Sequence, residues 1–170
     1  DLKAAYKFME AEFEAPSLLI GHSLGGAAAL NAGHDMPKVK AVATIGAPFD
    51  PAHSIVRIAG DISTVDEHGT QVLQIEGRGI PISREFLEVL ADYNPEVYLS
   101  QLRKPLLILH SPTDQTVGID SAQKIFQVSR YPKSLMSLDR ADHLLTRAKS
   151  AARAADLIYA WADSYLPEAE

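Results

Sequence analysis

The fold is decided by residues 17–32, whose sequence is Ser-Leu-Leu-Ile-Gly-His-Ser-Leu-Gly-Gly-Ala-Ala-Ala-Leu-Asn-Ala. The apolar run at 17–20 is typical of a buried strand, and the alanine-rich segment 24–32 predicts a helix. Between them, the pattern Gly-x-Ser-x-Gly at 21–25 places Ser23 on a sharp turn from strand to helix. Such a turn projects the serine hydroxyl into a pocket, where it is a candidate nucleophile.

The strain of this turn explains the residue types around the serine. A sharp strand-to-helix turn crowds the positions two before and two after Ser23, so we expect glycine to be required at both Gly21 and Gly25. The helix that begins at Leu24 directs its N-terminal N–H groups and its positive dipole end toward the serine. The Leu24 N–H is therefore a candidate oxyanion-hole donor.

The rest of the chain alternates short apolar runs with helical periodicity. Further buried strands are predicted at 39–46, 105–110 and 134–138, and further helices at 2–14, 119–129 and 144–166. Buried strands separated by helices form parallel sheets with helices on both faces. The sequence therefore predicts an α/β protein with three layers, a parallel sheet flanked by helices.

A long segment interrupts this alternation. Residues 49–104, between the second and third predicted strands, are too many for a plain crossover. Within them, 72–75 and 80–83 predict a hairpin, and 84–91 and 95–102 predict two short helices. Insertions of this kind cover active sites. We therefore expect one domain over all 170 residues, with 49–104 as a lid-like insertion.

Two further residues complete a catalytic triad on sequence grounds. A serine hydroxyl needs a neighbouring base, and that base needs an orienting acid. On this kind of sheet the order along the chain is Ser, Asp or Glu, His, in loops at the carboxyl ends of strands. Asp114 follows the third predicted strand, and His143 lies in the loop before the last helix. We expect Asp114 to be the acid and His143 the base that serve Ser23.

Other histidines and carboxylates compete for these roles. His22 fills the variable position of the turn, where we expect it to pack or to line the pocket as a substrate-binding residue. His110 ends a strand and is expected to be a core or rim residue. Surface, loop or helix-end roles are expected for His34, His53, His68, Asp120, Asp139 and Asp142.

Composition limits the function classes. The chain is 46% hydrophobic and 22% charged, as in ordinary globular proteins, and its net charge of −6 disfavours nucleic acid as a partner. The absence of cysteine excludes disulfides, thiolate metal sites and cysteine nucleophiles, and fits a reducing compartment. No apolar run approaches the roughly 18 residues of a membrane span, and no histidine pair has zinc spacing. We therefore expect no membrane, metal or cofactor partner.

Four segments match one known family: GHSLGG at 21–26, IGAPFDPAH at 45–53, HSPTDQTVGID at 110–120 and ADHLL at 141–145. Together they resemble the α/β-hydrolase superfamily. More narrowly, they are similar to the hydrolase part of bacterial proteins that fuse it ahead of an OsmC-like domain. The resemblance implies nucleophile, acid and base roles for Ser23, Asp114 and His143. It also implies a cytoplasmic setting and a small-molecule ester- or thioester-like substrate.

The chain departs from this family at its start and in its cysteine content. A complete hydrolase places several strands and a second oxyanion donor ahead of the helix that opens this chain. Because the chain also starts at Asp1 rather than Met, we expect the C-terminal part of the α/β-hydrolase fold with its N-terminal strands missing. The first predicted strand would then lie at an exposed sheet edge. The OsmC-like domain uses paired cysteines, so this chain does not contain it.

Three functions fit these features. The first is a serine hydrolase that works by acyl transfer, with His143 taking the proton of Ser23. The second is a non-catalytic binding or regulatory module that accompanies a fused OsmC-like domain. The third is a serine-dependent acyltransferase or perhydrolase, in which another acceptor replaces water. Three arginines of the insertion would attract an acidic substrate, although such residues are usually solvated: Arg57, Arg78 and Arg84.

Overall fold

The computed structural model describes residues 1–59, 69–75 and 77–167. The chain divides into two compact units, one formed by Asp1–Phe49 with Pro95–Glu170 and the other by Asp50–Asn94. Within the described ranges, no helix has the length and apolar character needed to cross a membrane.

The strands are, in chain order, β1 (Leu18–His22), β2 (Ala41–Ile45), β3 (Thr70–Ile75), β4 (Arg78–Ser83), β5 (Leu106–His110) and β6 (Lys133–Ser137). The helices are α1 (Leu2–Glu12), α2 (Leu24–Ala32), α3 (Pro51–Ala59), α4 (Arg84–Ala91), α5 (Pro95–Leu102), α6 (Ile119–Val128) and α7 (Ala148–Ala162).

A parallel sheet in the order β1, β2, β5, β6 forms the centre of the first unit. One face of this sheet packs on α7 through a buried cluster of Ala43, Leu107, Leu109, Leu138, Ala141, Ala154 and Ile158. On the other face, a Cβ added at Gly33 would lie 3.5 Å from the Val42 side chain and 2.9 Å from the Leu102 side chain of α5. Helices thus cover both faces, which confirms the predicted three-layer α/β fold.

The second unit contains α3, the β3–β4 hairpin and α4. The hairpin is antiparallel, with Thr70 opposite Ser83, and confirms the hairpin predicted from sequence. Helix α3 was not predicted. It begins at Pro51, where proline fits the first helical position, and the Asp50 side chain accepts a hydrogen bond from the His53 N–H at 2.9 Å.

The predicted insertion is longer than this second unit. Residues 95–104 were assigned to the insertion, but they belong to the first unit, where α5 contacts α2. This helix is amphipathic and buries Tyr98, Leu99 and Leu102, so it contributes to the main core. Residues 60–68 of the predicted insertion, including His68, lie outside the described residues.

Two element boundaries near the serine and the histidine differ from the prediction. Strand β1 does not stop at Gly21 but continues to His22, because these residues pair with Thr44 and Ile45 of β2. The last helix covers Ala148–Ala162 instead of 144–166. Its predicted first turn is a loop, in which Leu145 has a φ of +52°.

Candidate active site

Ser23 lies in the turn that joins β1 to α2. Its φ of 52° and ψ of −126° are unusual for a residue with a side chain, and such backbone strain costs about 1–3 kcal/mol. Neighbouring backbone groups hold the turn in place: Ser23 N–H donates to the Ile45 carbonyl at 2.8 Å, and the Ser23 carbonyl accepts from Gly26 N–H at 2.9 Å. The strain therefore persists because β2 and α2 fix both sides of the serine.

Of the three glycines around Ser23, two are required by close packing and one is not. A Cβ at Gly21 would lie 2.3 Å from the Gly25 carbonyl oxygen, and a Cβ at Gly26 would lie 2.6 Å from the Ala47 Cβ. Close packing therefore demands glycine at both positions, against backbone at Gly21 and against the Ala47 side chain at Gly26. At Gly25 a Cβ would meet nothing within 4 Å. The expectation that glycine is required at Gly25 is wrong, because this position faces open space.

The three residues proposed as a triad from sequence lie in contact with one another. His143 Nε2 is 2.9 Å from Ser23 Oγ, and His143 Nδ1 is 2.8 Å from Asp114 Oδ2. A carboxylate accepts hydrogen bonds, so Nδ1 carries the hydrogen and Nε2 is left to accept from the serine hydroxyl. Asp114 and His143 are buried, whereas Ser23 is half-buried. This arrangement leaves the hydroxyl accessible while its partners are shielded from water.

The loop after β5 fixes the Asp114 carboxylate. Its Oδ1 accepts hydrogen bonds from the Thr116 and Val117 N–H groups, each at 2.9 Å, and leaves Oδ2 for the imidazole. Burial raises the pKa of Asp114. The hydrogen bonds from His143, Val117 and Thr116, together with the charge of His143, outweigh burial and hold the pKa of this carboxyl below its ordinary value. Asp114 is therefore an ionised acceptor at neutral pH.

His110 supports the same loop from the core. It is fully buried, and its Nε2 donates to the Val117 carbonyl at 2.8 Å while lying 3.8 Å from Asp114 Oδ2. His110 is therefore a core residue, as expected from its place at a strand end. Its hydrogen bond goes to the Val117 backbone and not to the Asp114 carboxylate.

The loop between β6 and α7 carries His143 and is tied to both neighbouring loops. Ser111 Oγ donates to the Ala141 carbonyl at 2.6 Å, and His22 Nε2 donates to the His143 carbonyl at 2.7 Å. The rings of His22 and His143 lie 5.2 Å apart, centre to centre. Sequence reasoning placed His22 at the pocket as a packing or substrate-binding residue. It did not foresee the hydrogen bond between His22 and the loop that carries His143, because no sequence pattern reports such a contact.

The remaining candidates have partners elsewhere. His34 is exposed and bonds the Asn31 carbonyl, and Asp120 lies 3.5 Å from Lys124 on α6. The other carboxylates and histidine are exposed loop or helix residues: Asp139, Asp142 and His53. Asp142 accepts hydrogen bonds from Thr146 that lower its pKa. None of these has a hydrogen bond to Ser23, Asp114 or His143 among the bonds of the described residues.

Gly46 is a site residue that sequence reasoning missed. It follows β2 with a φ of +57°, and its N–H donates to the Leu109 carbonyl at 2.9 Å. A Cβ here would lie 3.3 Å from His143 Nδ1 and 3.4 Å from Asp114 Oδ2. The available signal was a glycine at the carboxyl end of a buried strand, β2, which pairs with the strand that ends at the Ser23 turn.

The Leu24 N–H stays a predicted oxyanion donor. It begins α2, directly after Ser23, and no hydrogen bond engages it across the ranges that the structure describes. A free N–H at a helix start carries part of the positive end of the helix dipole. Across the same ranges, no group of three or more histidine, aspartate or glutamate side chains is arranged to hold a metal ion.

Solved structures of hydrolases match the chain over nearly its full length. An esterase domain of a Rhodothermus marinus protein has a TM-score of 0.84 and 50% sequence identity, over 97% of this chain and 68% of that chain. Alpha/beta hydrolase domain-containing protein 10 from mouse has a TM-score of 0.71 and 21% identity, over 95% of this chain and 68% of that chain. This second match shows a likeness of fold. The chain belongs to the α/β-hydrolase superfamily.

Sequence comparison adds a shorter match. A Bacillus subtilis protein named YqkD is 25% identical over 76 residues, which cover 42% of this chain and 25% of that protein. The match therefore spans a quarter of the length of that curated relative. No family model matches the sequence. The likeness to an esterase domain at 50% identity supports a hydrolase.

Proposed function

We propose that this chain carries the active site of a serine hydrolase, which cleaves an ester- or thioester-like small molecule by acyl transfer. One observation carries the proposal. The Ser23 hydroxyl, the His143 imidazole and the Asp114 carboxylate form an unbroken hydrogen-bonded series, with distances of 2.9 and 2.8 Å. Bases within about 2.6–3.2 Å of a nucleophile are in position to take its proton.

In the proposed reaction, His143 Nε2 takes the proton of Ser23 as the serine oxygen attacks the carbonyl carbon of the substrate. The tetrahedral intermediate then collapses, and the departing alcohol or thiol receives the proton from His143. Water next attacks the carbonyl carbon of the acyl-enzyme and gives its proton to the same imidazole. The second tetrahedral intermediate then collapses, His143 returns the proton to the Ser23 oxygen, and the carboxylic acid leaves. One base thus serves both halves of the reaction.

Charges develop at two places in this sequence, and the chain has a group at each. The imidazolium that forms on His143 lies against the ionised, buried Asp114, which stabilises it and holds the correct tautomer. The oxyanion forms next to Ser23, where the unengaged Leu24 N–H begins α2. Removing one oxyanion donor typically lowers the rate by about 10²–10³-fold.

A fluorophosphonate probe tests the proposal, because it bonds covalently to a serine that a base activates. We expect the wild-type protein to be labelled and to hydrolyse p-nitrophenyl acetate. Ser23→Ala should lose labelling and lose hydrolysis by a factor on the order of 10⁶, or down to the background rate. The matched control is Ser137→Ala, which removes an exposed serine bonded to Asp139.

Two outcomes would contradict the proposal. The first is a folded wild-type protein that neither reacts with the probe nor hydrolyses the ester. The second is labelling that persists unchanged in Ser23→Ala, which would place the reactive serine elsewhere.

A further inference from the structure

We propose that His22 is a positioning residue, whose imidazole holds the loop of the base against the turn of the nucleophile. The inference rests on the proposed function, since it assigns a role toward His143 as base. His22 Nε2 lies 2.7 Å from the His143 carbonyl oxygen. A carbonyl only accepts, so His22 Nε2 carries the hydrogen and donates. The residue directly before the nucleophile therefore bonds to the backbone of the base itself.

The loop that carries His143 needs such a support. It lies between β6 and α7 and includes two residues with positive φ, Arg140 at 61° and Leu145 at 52°. These conformations cost about 1–2 kcal/mol each for residues with a side chain. Asp142 and Leu144, on either side of His143, are both exposed. Burial of Ala141 and His143 anchors part of this loop, but these two exposed residues add nothing to that anchoring. Hydrogen bonds from outside the loop therefore contribute to holding its backbone.

Two such bonds hold the loop from opposite sides. On the side of the acid, Ser111 Oγ donates to the Ala141 carbonyl at 2.6 Å. On the side of the nucleophile, His22 donates to the carbonyl of His143. The bonds from Ser23 and Asp114 fix only the two ring nitrogens. The hydrogen bond to the His143 carbonyl oxygen also fixes the backbone from which the imidazole ring projects. The base therefore stays aligned when the serine oxygen moves to attack.

This geometry separates a positioning role from substrate binding. The Nε2 hydrogen of His22 is engaged by the His143 carbonyl and is not free to meet a substrate. No hydrogen bond of the described residues joins His22 to Ser23 Oγ, so it does not exchange protons with the nucleophile there. Loss of His22 should therefore lower kcat and leave KM nearly unchanged, whereas a substrate-binding residue would raise KM.

The test compares His22→Gln with His22→Met in the full chain. Glutamine places an amide N–H donor the same number of bonds from the backbone as His22 Nε2, whereas methionine has similar length and no donor. We expect His22→Met to lower kcat for p-nitrophenyl acetate and the rate of fluorophosphonate labelling by about ten- to a hundredfold, because small misplacements of a reacting group cost about this much. His22→Gln should recover most of the loss.

The matched control is His34→Met, which removes another histidine bonded to a backbone carbonyl, that of Asn31, on the surface. It should keep the wild-type kcat. Thermal unfolding of all variants shows whether they fold. If His22→Met does not fold, the smaller His22→Ala, which also lacks a donor, takes its place beside His22→Gln. A kcat for His22→Ala at least about tenfold below that of His22→Gln supports the role, and a smaller difference or none overturns it.

The two proposals fail in distinguishable ways. Equal labelling and equal kcat in wild type and a folded His22→Met overturn the positioning role and leave the serine hydrolase intact. A rise in KM with unchanged kcat also overturns it, in favour of substrate binding. A folded wild type that does not react with the probe overturns both.

Discussion

Replacing Gly46 with alanine should damage both the fold and the reaction, although Gly46 carries no functional group. Its φ is +57°, and a Cβ there would lie 3.3 Å from His143 Nδ1 and 3.4 Å from Asp114 Oδ2. A methyl group would press on the hydrogen bond between imidazole and carboxylate. We therefore expect Gly46→Ala to lower the free energy of unfolding and kcat together.

The size of each loss follows from this geometry. Alanine at positive φ costs about 1–2 kcal/mol, offset by about 0.4–1 kcal/mol because alanine restricts the unfolded chain. Crowding in a packed interior adds about 1–3 kcal/mol. The total is about 1–5 kcal/mol, and each kcal/mol lowers Tm by about 2–4 °C for a chain of this size. The ring must also shift by a few tenths of an ångström. Since a 1 Å misplacement costs about 10²-fold, kcat should fall about tenfold.

The assay measures thermal unfolding and kcat on a p-nitrophenyl ester, with Gly69→Ala as control. Gly69 has a φ of +72°, and a Cβ there would meet nothing within 4 Å. Gly69→Ala therefore introduces the strain of alanine at positive φ without crowding any neighbouring atom. We expect this variant to keep the wild-type kcat. The reasoning is refuted if Gly46→Ala has the same kcat as Gly69→Ala. Contact between a Cβ at position 46 and the His143 ring would then have no effect on the reaction.

Two further predictions concern the acid and the turn. Asp114 has a lowered pKa, so its contribution to stability is present above the unfolded carboxyl pKa of about 3.9 and is lost as pH falls through the lower folded value. The stability advantage of wild type over Asp114→Asn, measured by urea unfolding, should therefore narrow below about pH 4; a constant gap contradicts this. Gly21→Ala should destabilise by about 3 kcal/mol or more, because its Cβ would lie 2.3 Å from a backbone oxygen. Gly25→Ala should be neutral or stabilise by up to about 1 kcal/mol, since alanine favours helix; equal urea midpoints for the two variants would refute this difference.

Sequence reasoning succeeded where one local pattern sufficed. The Gly-x-Ser-x-Gly segment required a strand on one side and a helix on the other, and α2 covers Leu24–Ala32 as predicted. Apolar runs located all four strands of the main sheet. The reason is clearest for β2 and β5, which are buried nearly throughout and are therefore mostly apolar on both faces, whereas β1 and β6 lie at the sheet edges and are partly exposed. Chain order and the carboxyl ends of strands pointed to Asp114 and His143, which lie within hydrogen-bond distance of each other.

The features that sequence reasoning missed depend on residues distant along the chain. Gly46 is constrained by an imidazole and a carboxylate from two later loops, so nothing within β2 reveals it. The extension of β1 through His22 depends on its parallel pairing with Ile45. Helix α3 depends on Asp50 capping a segment that begins with proline, a local signal that was overlooked. The prediction that glycine is needed at Gly25 was wrong, because the turn is crowded at Gly21 and open at Gly25.

The three groups of the proposed triad stand on segments that leave β1, β5 and β6, and parallel pairing through β2 holds these strands in one sheet. A slip of one residue in any pairing turns the side chains of a strand to its opposite face. Helices form within about a microsecond on their own, well before distant strands meet. The rate at which probe labelling of Ser23 returns during refolding would therefore report when the strands reach their native register. The recovery of helix content would not report this step.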